Sequence, residues 1–248
     1  MKALQFGLIG KSLAHSFSKQ YFTEKFIREN LPHQYELFPL ENISEFPALL
    51  ASHSNLAGLN VTIPYKESII PFLDELHPTA AAVGAVNTIR IHNHKTTGFN
   101  TDVLGFSVEM ERFFPLQKPK RAIILGTGGA AKAVEYVLKS EWNFVDIICV
   151  SRKPGKVNEI SYKELSGFDF STISLIVNAT PKGMYPHIYS KPLIPYDKLN
   201  QTHYLFDLVY NPTLTQFLKR GKKHGAYTEN GLGMLHKQAE FAWNIWTE

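Results

Sequence analysis

The stretch Ala122-Ile-Ile-Leu-Gly126-Thr-Gly128-Gly129-Ala130-Ala131 leads from an apolar run through a glycine-rich turn into helix-forming residues. In a turn of this spacing, the first glycine permits the tight bend and the second lets the backbone approach a diphosphate. The small last residue lets the helix pack on its strand. Backbone N–H groups at the start of a helix also attract anions. We therefore expect Gly126, Gly128, Gly129 and Ala130 to bind a dinucleotide, and a plain turn is the alternative.

Short apolar runs alternate with helical stretches along the chain. This alternation requires crossover connections, so we expect an α/β fold with largely parallel sheets. The runs that predict strands are residues 6–9, 35–38, 56–62, 122–125, 145–150, 173–177 and 204–209. The stretches that predict helices are residues 19–29, 45–50, 103–113, 130–139, 214–219 and 232–246. Residues 85–91 and 96–99 flank a polar turn and predict an antiparallel hairpin.

The composition excludes several classes of protein. Of the 248 residues 44% are apolar, and the formal charge of +4 comes from scattered Lys and Arg, so no nucleic-acid partner is expected. No apolar run reaches the roughly 18 residues of a membrane span, and the N-terminal run is too short for a signal-peptide core. We expect a cytoplasmic protein without a membrane partner. The histidines are dispersed, so no metal site is expected, and Cys149 predicts a buried, unreactive thiol.

Three polar motifs between residues 58 and 102 hold one lysine and one aspartate among amides and hydroxyls. The motifs are Gly58-Leu-Asn60-Val-Thr62-Ile-Pro-Tyr-Lys66, Gly84-Ala-Val-Asn87-Thr88 and Gly98-Phe-Asn-Thr-Asp102. Such groups suit a small polyhydroxylated ligand. Taken alone, Lys66 is an exposed lysine and Asp102 is a helix N-cap.

These motifs closely resemble those of the shikimate dehydrogenase family. The resemblance recurs at Ser16, at Ser18 and at residues 178–184, 207–215 and 231–238, so it covers essentially the whole chain. It implies an N-terminal three-layer α/β substrate domain with a mostly parallel sheet, residues 1–101 and 230–248. It also implies a C-terminal Rossmann-like NADP domain, residues 102–229, with the site in a cleft between the two.

The resemblance also implies a role for each motif residue. Lys66 and Asp102 are the implied catalytic pair, because an ammonium can stabilise and protonate the oxygen that forms as a ketone is reduced. The implied substrate-binding residues are Ser16, Ser18, Asn60, Thr62, Asn87, Tyr210 and Gln238. The implied cofactor-binding residues beyond the glycine turn are Thr180, Gly231 and Met234. Helix caps, buried hydrogen-bonding groups and a simple turn are the structural alternatives for these positions.

The strand that follows the first helix of the glycine unit indicates which dinucleotide is bound. An acid at its end would bond the ribose of NAD, but Asp146 falls at its start. Ser151-Arg152-Lys153 and Lys156 follow its end, and a cationic cluster suits the 2′-phosphate of NADP. Arg152 matches the Asn-Arg-Thr pattern of the family, whereas Ser151 and Lys153 depart from it. A solvated basic turn is the alternative.

Together these features predict an NADP-dependent oxidoreductase, a monomer or homodimer. The implied reaction is the reversible reduction of 3-dehydroshikimate to shikimate in chorismate and aromatic amino-acid biosynthesis. An NAD-dependent quinate/shikimate dehydrogenase is the rival enzyme. A non-catalytic nucleotide-binding regulatory module is the rival from another class, although such a module has no need of Lys66 and Asp102 together.

Overall fold

The computed structural model describes residues 3–13, 16–115 and 121–248. The chain forms two compact units. The first consists of the described residues up to Thr101 together with Ala239–Glu248, and the second is Asp102–Gln238. The last helix of the chain therefore begins in the second unit and ends in the first. The domain division given above, 1–101 with 230–248 and 102–229, assigns all of that helix to the first domain and stays a prediction.

The first unit is built on a mixed sheet. Its strands within the described residues are β1 (Gln5–Gly10), β2 (Gln34–Pro39), β3 (Leu56–Val61), β4 (Glu75–Leu76), β5 (Thr88–His92) and β6 (Lys95–Phe99). Their order is β2-β1-β3-β5-β6-β4, in which β1 is parallel to β2 and β3, and β5 is antiparallel to β3 and β6. The predicted hairpin is confirmed, and its turn residues Asn93 and His94 have the positive φ values (50° and 63°) that two-residue hairpin turns favour.

Two apolar cores lie on opposite faces of this sheet and make the unit three-layered. Helices α1 (Phe17–Arg28), α2 (Phe46–Ser52) and α3 (Pro78–Val83) belong to it. Successive strand residues point to opposite faces, so Phe6 and Leu8 of β1 enter one core and Ile9 enters the other. Trp246, near the C-terminus, packs with Phe6 and donates its indole N–H to the carbonyl of Ile89 at 2.9 Å.

The second unit is built on a parallel sheet. Its strands within the described residues are β7 (Arg121–Leu125), β8 (Asp146–Ser151), β9 (Glu159–Ser161), β10 (Leu175–Asn178), β11 (Tyr204–Asp207) and β12 (Tyr227–Asn230). The order β12-β11-β10-β7-β8-β9, with each neighbouring pair parallel, is the doubly wound order of the Rossmann fold. The predicted α/β fold class is confirmed.

Among the described residues, the helix α4 (Thr101–Phe113) starts one residue before the second unit and continues into it. The helices that begin in the second unit are α5 (Gly129–Ser140), α6 (Tyr162–Ser166), α7 (Gln216–Lys223) and α8 (Leu232–Thr247). Parallel strands covered on both faces are apolar throughout, which explains why their runs are visible in the sequence. Ile123, Val150, Ile176 and Leu205 are fully buried in one core of this unit.

Several elements differ from the sequence prediction. The short strands β4, β9 and β12 and the short helices α3 and α6 carry too few residues for a recognisable period. Helix α7 begins at Gln216, not at 214, because the Thr215 side chain accepts a hydrogen bond from the N–H of Leu218 and caps the helix. Cys149 is buried as expected, and burial raises the pKa of its thiol to about 12, which disfavours the reactive thiolate.

Candidate functional site

Polar side chains of the first unit collect where β3 ends. Asn60 is buried within β3, Thr62 follows the strand, and Lys66 is half-buried in the next turn. Because β5 runs antiparallel to β3, its first residue lies beside the end of β3, and Thr88 is the register partner of Asn60. Asn87 precedes Thr88 and is therefore brought to the same edge of the sheet.

A chain of buried hydrogen bonds orients these groups. Tyr35 Oη donates to Asn60 Oδ1 at 2.7 Å, and Asn60 Nδ2 donates to Thr88 Oγ1 at 3.3 Å. Asn87 Oδ1 accepts from the N–H of Thr101 at 2.7 Å, and Asn87 Nδ2 donates to Thr101 Oγ1 at 3.0 Å. All five residues are buried, so the two amides are held in one orientation by neutral partners. We call these five residues the neutral network.

The two predicted serines begin α1. Ser16 is the N-cap, and its Oγ accepts from the N–H of Ser18 at 3.2 Å. The first turn of this helix carries no acidic side chain, so its N–H groups and hydroxyls favour an anion. Burial raises the pKa of Tyr35, and the nearby Ser18 side chain lowers it by a smaller amount. The start of α1 is therefore connected to the neutral network.

The predicted catalytic residues lie in different units. Lys66 belongs to the first unit, where its carbonyl accepts from the N–H of Val86 at 2.7 Å and fixes the turn. Asp102 belongs to the second unit and is 6% exposed. The interpretation of Asp102 as a helix cap is wrong, because α4 begins at Thr101 and Asp102 lies in its first turn. Helix N–H groups favour a negative charge at that position.

The glycine turn of the second unit lies where the strand order reverses, between β7 and β10. Ligands of open α/β sheets bind at this point, beyond the carboxyl ends of the strands. Gly126 has φ +113°, and a Cβ there would lie 3.0 Å from the carbonyl oxygen of Ala179, so the fold itself requires glycine. Gly128 has an ordinary backbone conformation, and a Cβ there would meet nothing within 4 Å. The requirement for glycine at Gly128 therefore fits the close approach of a ligand.

The remaining turn residues provide the start of a helix. Gly129 and Ala130 are the first two residues of α5, which carries no acidic residue in its first turn. The first N–H groups of a helix have no partner within it and point outward along its axis. This end of α5 can hold a diphosphate.

Three further predicted residues surround the carboxyl ends of β10, β11 and β12. Thr180 follows β10 and donates its N–H and Oγ1 to Asn178 Oδ1 at 3.1 and 2.6 Å. Tyr210 follows β11 and is half-buried. Gly231 separates β12 from α8, and a Cβ there would lie 2.3 Å from the carbonyl oxygen of Leu208, so only glycine fits.

The last two predicted residues lie on α8, within the second unit. Met234 is buried in the first turn of the helix. Gln238 is half-buried one turn later and donates its Nε2 to the carbonyl of Leu235 at 3.0 Å.

The basic cluster follows β8 as the sequence indicates. Arg152 and Lys153 are exposed immediately after the strand, and the N–H of Lys153 donates to Ser151 Oγ at 3.2 Å. Asp146 opens β8 at the opposite end, where it accepts from Arg121 Nε at 2.9 Å. Asp146 is thus paired with Arg121 at the start of β8, away from the basic residues. The carboxyl end of the strand therefore has Arg152 and Lys153 next to it as charged groups for a ligand.

Comparison with known proteins places this geometry in a family. The model of the shikimate dehydrogenase substrate binding domain matches residues 8–89. The shikimate dehydrogenase (NADP(+)) of Methanocaldococcus jannaschii is 38% identical, over 97% of this chain and 90% of that protein. The chain belongs to the shikimate dehydrogenase family.

Solved structures of shikimate dehydrogenases match this chain over nearly its full length. One, in complex with NADP+, matches with a TM-score of 0.86 and 34% identity, covering 99% of this chain and 90% of that one. That of Thermus thermophilus, in complex with NADP(H) and shikimate, matches with a TM-score of 0.84 and 29% identity, covering 98% and 93%. Within the described residues, no helix of this family member combines the length and apolarity of a membrane span.

The shikimate dehydrogenase motifs do not reveal the buried residues that hydrogen-bond to the site residues and orient them. Tyr35 is hidden in a predicted strand, and only the structure shows its bond to Asn60. Thr88 stands in a quoted motif next to Asn87, which is the one sequence signal for it. Asp207 lies within residues 207–215, where the resemblance recurs, yet its full burial is a property of the fold.

Proposed function

We propose that this protein catalyses the reversible NADPH-dependent reduction of 3-dehydroshikimate to shikimate. The observation that carries the proposal is the edge of the first sheet, where buried neutral partners orient Asn60 and Asn87 and the turn of Lys66 is hydrogen-bonded to Val86, the neighbour of Asn87. Oriented amides discriminate between the hydroxyls of a ring, and an amine beside them can act on a carbonyl. The dinucleotide turn in the same chain supports a redox reaction.

The substrate is proposed to bind through its charge and its hydroxyls. Ser16 and Ser18, at the positive start of α1, bind the carboxylate, and Tyr210 donates to the same group. Asn60, Thr62, Asn87 and Gln238 bind the ring hydroxyls. The preformed orientation of the buried amides lowers the entropy lost on binding.

Proton transfer is proposed to use Lys66 and Asp102. NADPH, when bound, supplies the hydride. The Lys66 ammonium stabilises the negative charge that grows on the carbonyl oxygen and donates the proton that makes the hydroxyl. The Asp102 carboxylate accepts a hydrogen bond from the substrate hydroxyl and keeps the local charge balanced. In the oxidative direction the same groups act in reverse, with Lys66 as the base.

The cofactor is proposed to bind along the switch point of the second sheet. Gly126, Gly128, Gly129 and Ala130 hold the diphosphate on backbone N–H groups. Arg152 and Lys153 bind the 2′-phosphate, and Thr180, Gly231 and Met234 contact the nicotinamide half. The fit is supported by Gly128, where the protein leaves open space beside the backbone.

One assay tests the proposal against its rivals. Purified protein is given shikimate or quinate with NADP or NAD, and formation of reduced cofactor is followed by absorbance. We expect the highest kcat/KM for shikimate with NADP. A higher kcat/KM for quinate with NAD would assign the rival enzyme, and binding of NADP without turnover of either acid would assign the regulatory module.

Location and assembly are part of the same proposal. A buried, unreactive Cys149 has no need of an oxidising compartment, which supports a cytoplasmic enzyme. We propose a monomer or homodimer, and light scattering coupled to size exclusion distinguishes these from larger assemblies.

A further inference from the structure

Asp207 is a carboxylate placed where a charge is costly. It ends β11, is fully buried, and lies beside Asn178, its register partner at the end of β10. Burial raises its pKa from 3.8 to about 6, so the group is mostly ionised at neutral pH despite its surroundings. Its hydrogen-bond partners within the described residues are neutral. Such a group destabilises the fold and is therefore expected to serve another purpose.

The bonds of Asp207 join two chain segments. Its Oδ1 accepts from Asn178 Nδ2 at 2.8 Å and from the N–H of Val209 at 3.0 Å, and its Oδ2 accepts from Thr215 Oγ1 at 2.5 Å. Val209 and Thr215 lie in residues 208–215, which we call the β11 loop. Asn178 leads into residues 179–184, which we call the β10 loop. One carboxylate therefore fixes both loops at the carboxyl edge of the sheet.

Asn178 links Asp207 to the β10 loop through its own hydrogen bonds. Its Oδ1 accepts from the N–H and hydroxyl of Thr180, while its Nδ2 also donates to the carbonyl of Lys182 at 3.2 Å. An amide with both ends occupied cannot rotate without breaking several bonds. The orientation of Asn178, and with it the position of Thr180, depends on the acceptor that Asp207 supplies.

The β11 loop, which Asp207 fixes, is in turn in contact with Gly231 at the start of α8. The N–H of Gly231 donates to the carbonyl of Val209 at 3.3 Å, and a Cβ on Gly231 would clash with Leu208. Fixing Val209 therefore fixes the backbone beside Gly231. Thr215, the third partner of Asp207, also caps α7 and packs near Gly183 of the β10 loop.

Charged groups near Asp207 leave this arrangement intact at neutral pH. Tyr196 interacts electrostatically with the carboxylate and donates its hydroxyl to the carbonyl of Pro192 at 3.0 Å; burial raises its pKa, so it stays neutral. Arg220 stacks on the ring of Tyr196 at 5.6 Å from the centroid, and the side chain of Lys182 is exposed. The charge of Asp207 is thus felt mainly by its hydrogen-bonding partners.

We propose that Asp207 is a positioning residue, whose carboxylate holds the β10 and β11 loops in the arrangement that binds the nicotinamide half of NADP(H). The inference rests on the proposed function, because Thr180 and Gly231 are the cofactor contacts that it positions. Charge-assisted hydrogen bonds are roughly twice as strong as neutral ones, which explains why an ionised group serves better than an amide.

The test replaces Asp207→Asn and compares cofactor with substrate. We expect the Kd and KM for NADPH to rise by on the order of tenfold, as is usual for loss of a charged hydrogen-bonding group, while the KM for 3-dehydroshikimate changes far less. The matched control is Asp74→Asn. Asp74 also accepts from a threonine hydroxyl and a backbone N–H, both of Thr96, but it joins no cofactor loop. This control should leave both constants unchanged.

A pH profile separates positioning from a general loss of stability. In the wild type, the KM for NADPH should rise as pH falls through about 6, because protonation of Asp207 converts its charge-assisted bonds to neutral ones. In Asp207→Asn the KM should be high already at pH 7 and should retain only the dependence that protonation of the cofactor's own 2′-phosphate at about pH 6 adds in both proteins. A lower melting temperature alone would not make the pH dependence of the KM for NADPH differ between the two proteins.

Variants of Thr215 keep the inference testable should Asp207→Asn fail to fold. Thr215→Val removes the hydroxyl that donates to Asp207 and should raise the KM for NADPH. Thr215→Ser retains a hydroxyl, and its KM for NADPH should stay near the wild-type value. If folded Asp207→Asn or Thr215→Val has the same KM for NADPH as the wild type, the inference is overturned. Turnover of shikimate by the wild type would still uphold the proposed function. Failure of the wild type to bind NADPH overturns both.

Discussion

The two units hold their polar edges with different chemistry. In the first, the neutral network of Tyr35, Asn60, Thr88, Asn87 and Thr101 contains hydroxyls and amides alone. In the second, the ionised Asp207 holds the neighbouring loops in place through its hydrogen bonds. Neutral groups are cheap to bury once they are hydrogen-bonded, whereas a buried charge makes stronger bonds at a cost in stability. The neutral network therefore has no group that titrates near neutral pH, whereas the edge of the second sheet has one in Asp207.

Removal of the reacting amine should give the largest effect. Lys66→Ala is expected to lower kcat by roughly two to four decades, the usual scale for a positioned proton donor, while the substrate KM changes little. Steady-state kinetics with saturating NADP measures both. Because the neutral network does not depend on Lys66, the variant should keep its melting temperature. Near wild-type kcat would show that the first unit binds substrate without contributing chemistry.

The stability of the second unit should depend on pH through Asp207. The unfolded carboxyl releases its proton near pH 3.8 and the folded one near 6, so the folded state binds more protons between these values. Wild-type stability should therefore fall, relative to Asp207→Asn, by roughly 2 kcal/mol as pH rises from 4 to 7. Denaturant unfolding at several pH values measures the difference. A constant difference would remove the contrast between a charged and a neutral edge.

Loss of Arg152 should separate the ligands of the two units. Arg152→Ala is expected to weaken NADP binding by about 1.5 to 3 kcal/mol, the contribution of a charged hydrogen-bonding partner, and to leave NAD and shikimate nearly unaffected. Raised salt should weaken NADP more than NAD, because the phosphate contacts are exposed. Calorimetric titration with both dinucleotides provides the measurement. Equal losses for NADP and NAD would mean that Arg152 does not contact the 2′-phosphate.

Loss of one neutral bond should have the smallest effect. Tyr35→Phe removes the donor to Asn60 and is expected to weaken shikimate binding by about 1 kcal/mol, with kcat retained. The effect should be the same from pH 5 to pH 8, since burial keeps the Tyr35 phenol neutral throughout. Substrate KM measured across that range checks this. A marked pH dependence would show that the first unit also relies on a titrating group.

The sequence predicts the elements that have a period or a turn signal of their own. The parallel strands of the second unit and the helix after Gly129 are visible because buried strands are apolar throughout and helices repeat their apolar face. The four-residue strand β12, Tyr-Thr-Glu-Asn, has neither signal and is absent from the prediction. Likewise the predicted start of α7 is two residues early, because the cap at Thr215 is recognised only when its hydrogen bond is seen.

The candidate site divides in the same way. The sequence by itself determined the chemical groups and the family, since the motifs around Asn60, Lys66 and Gly126 are contiguous and their residue types are specific to the chemistry. Only the tertiary structure decided that Asn60 pairs with Thr88 and that Asn178 pairs with Asp207. These partners are distant in the chain and meet through strand register. Register is set by packing of the whole sheet, and no local pattern contains it.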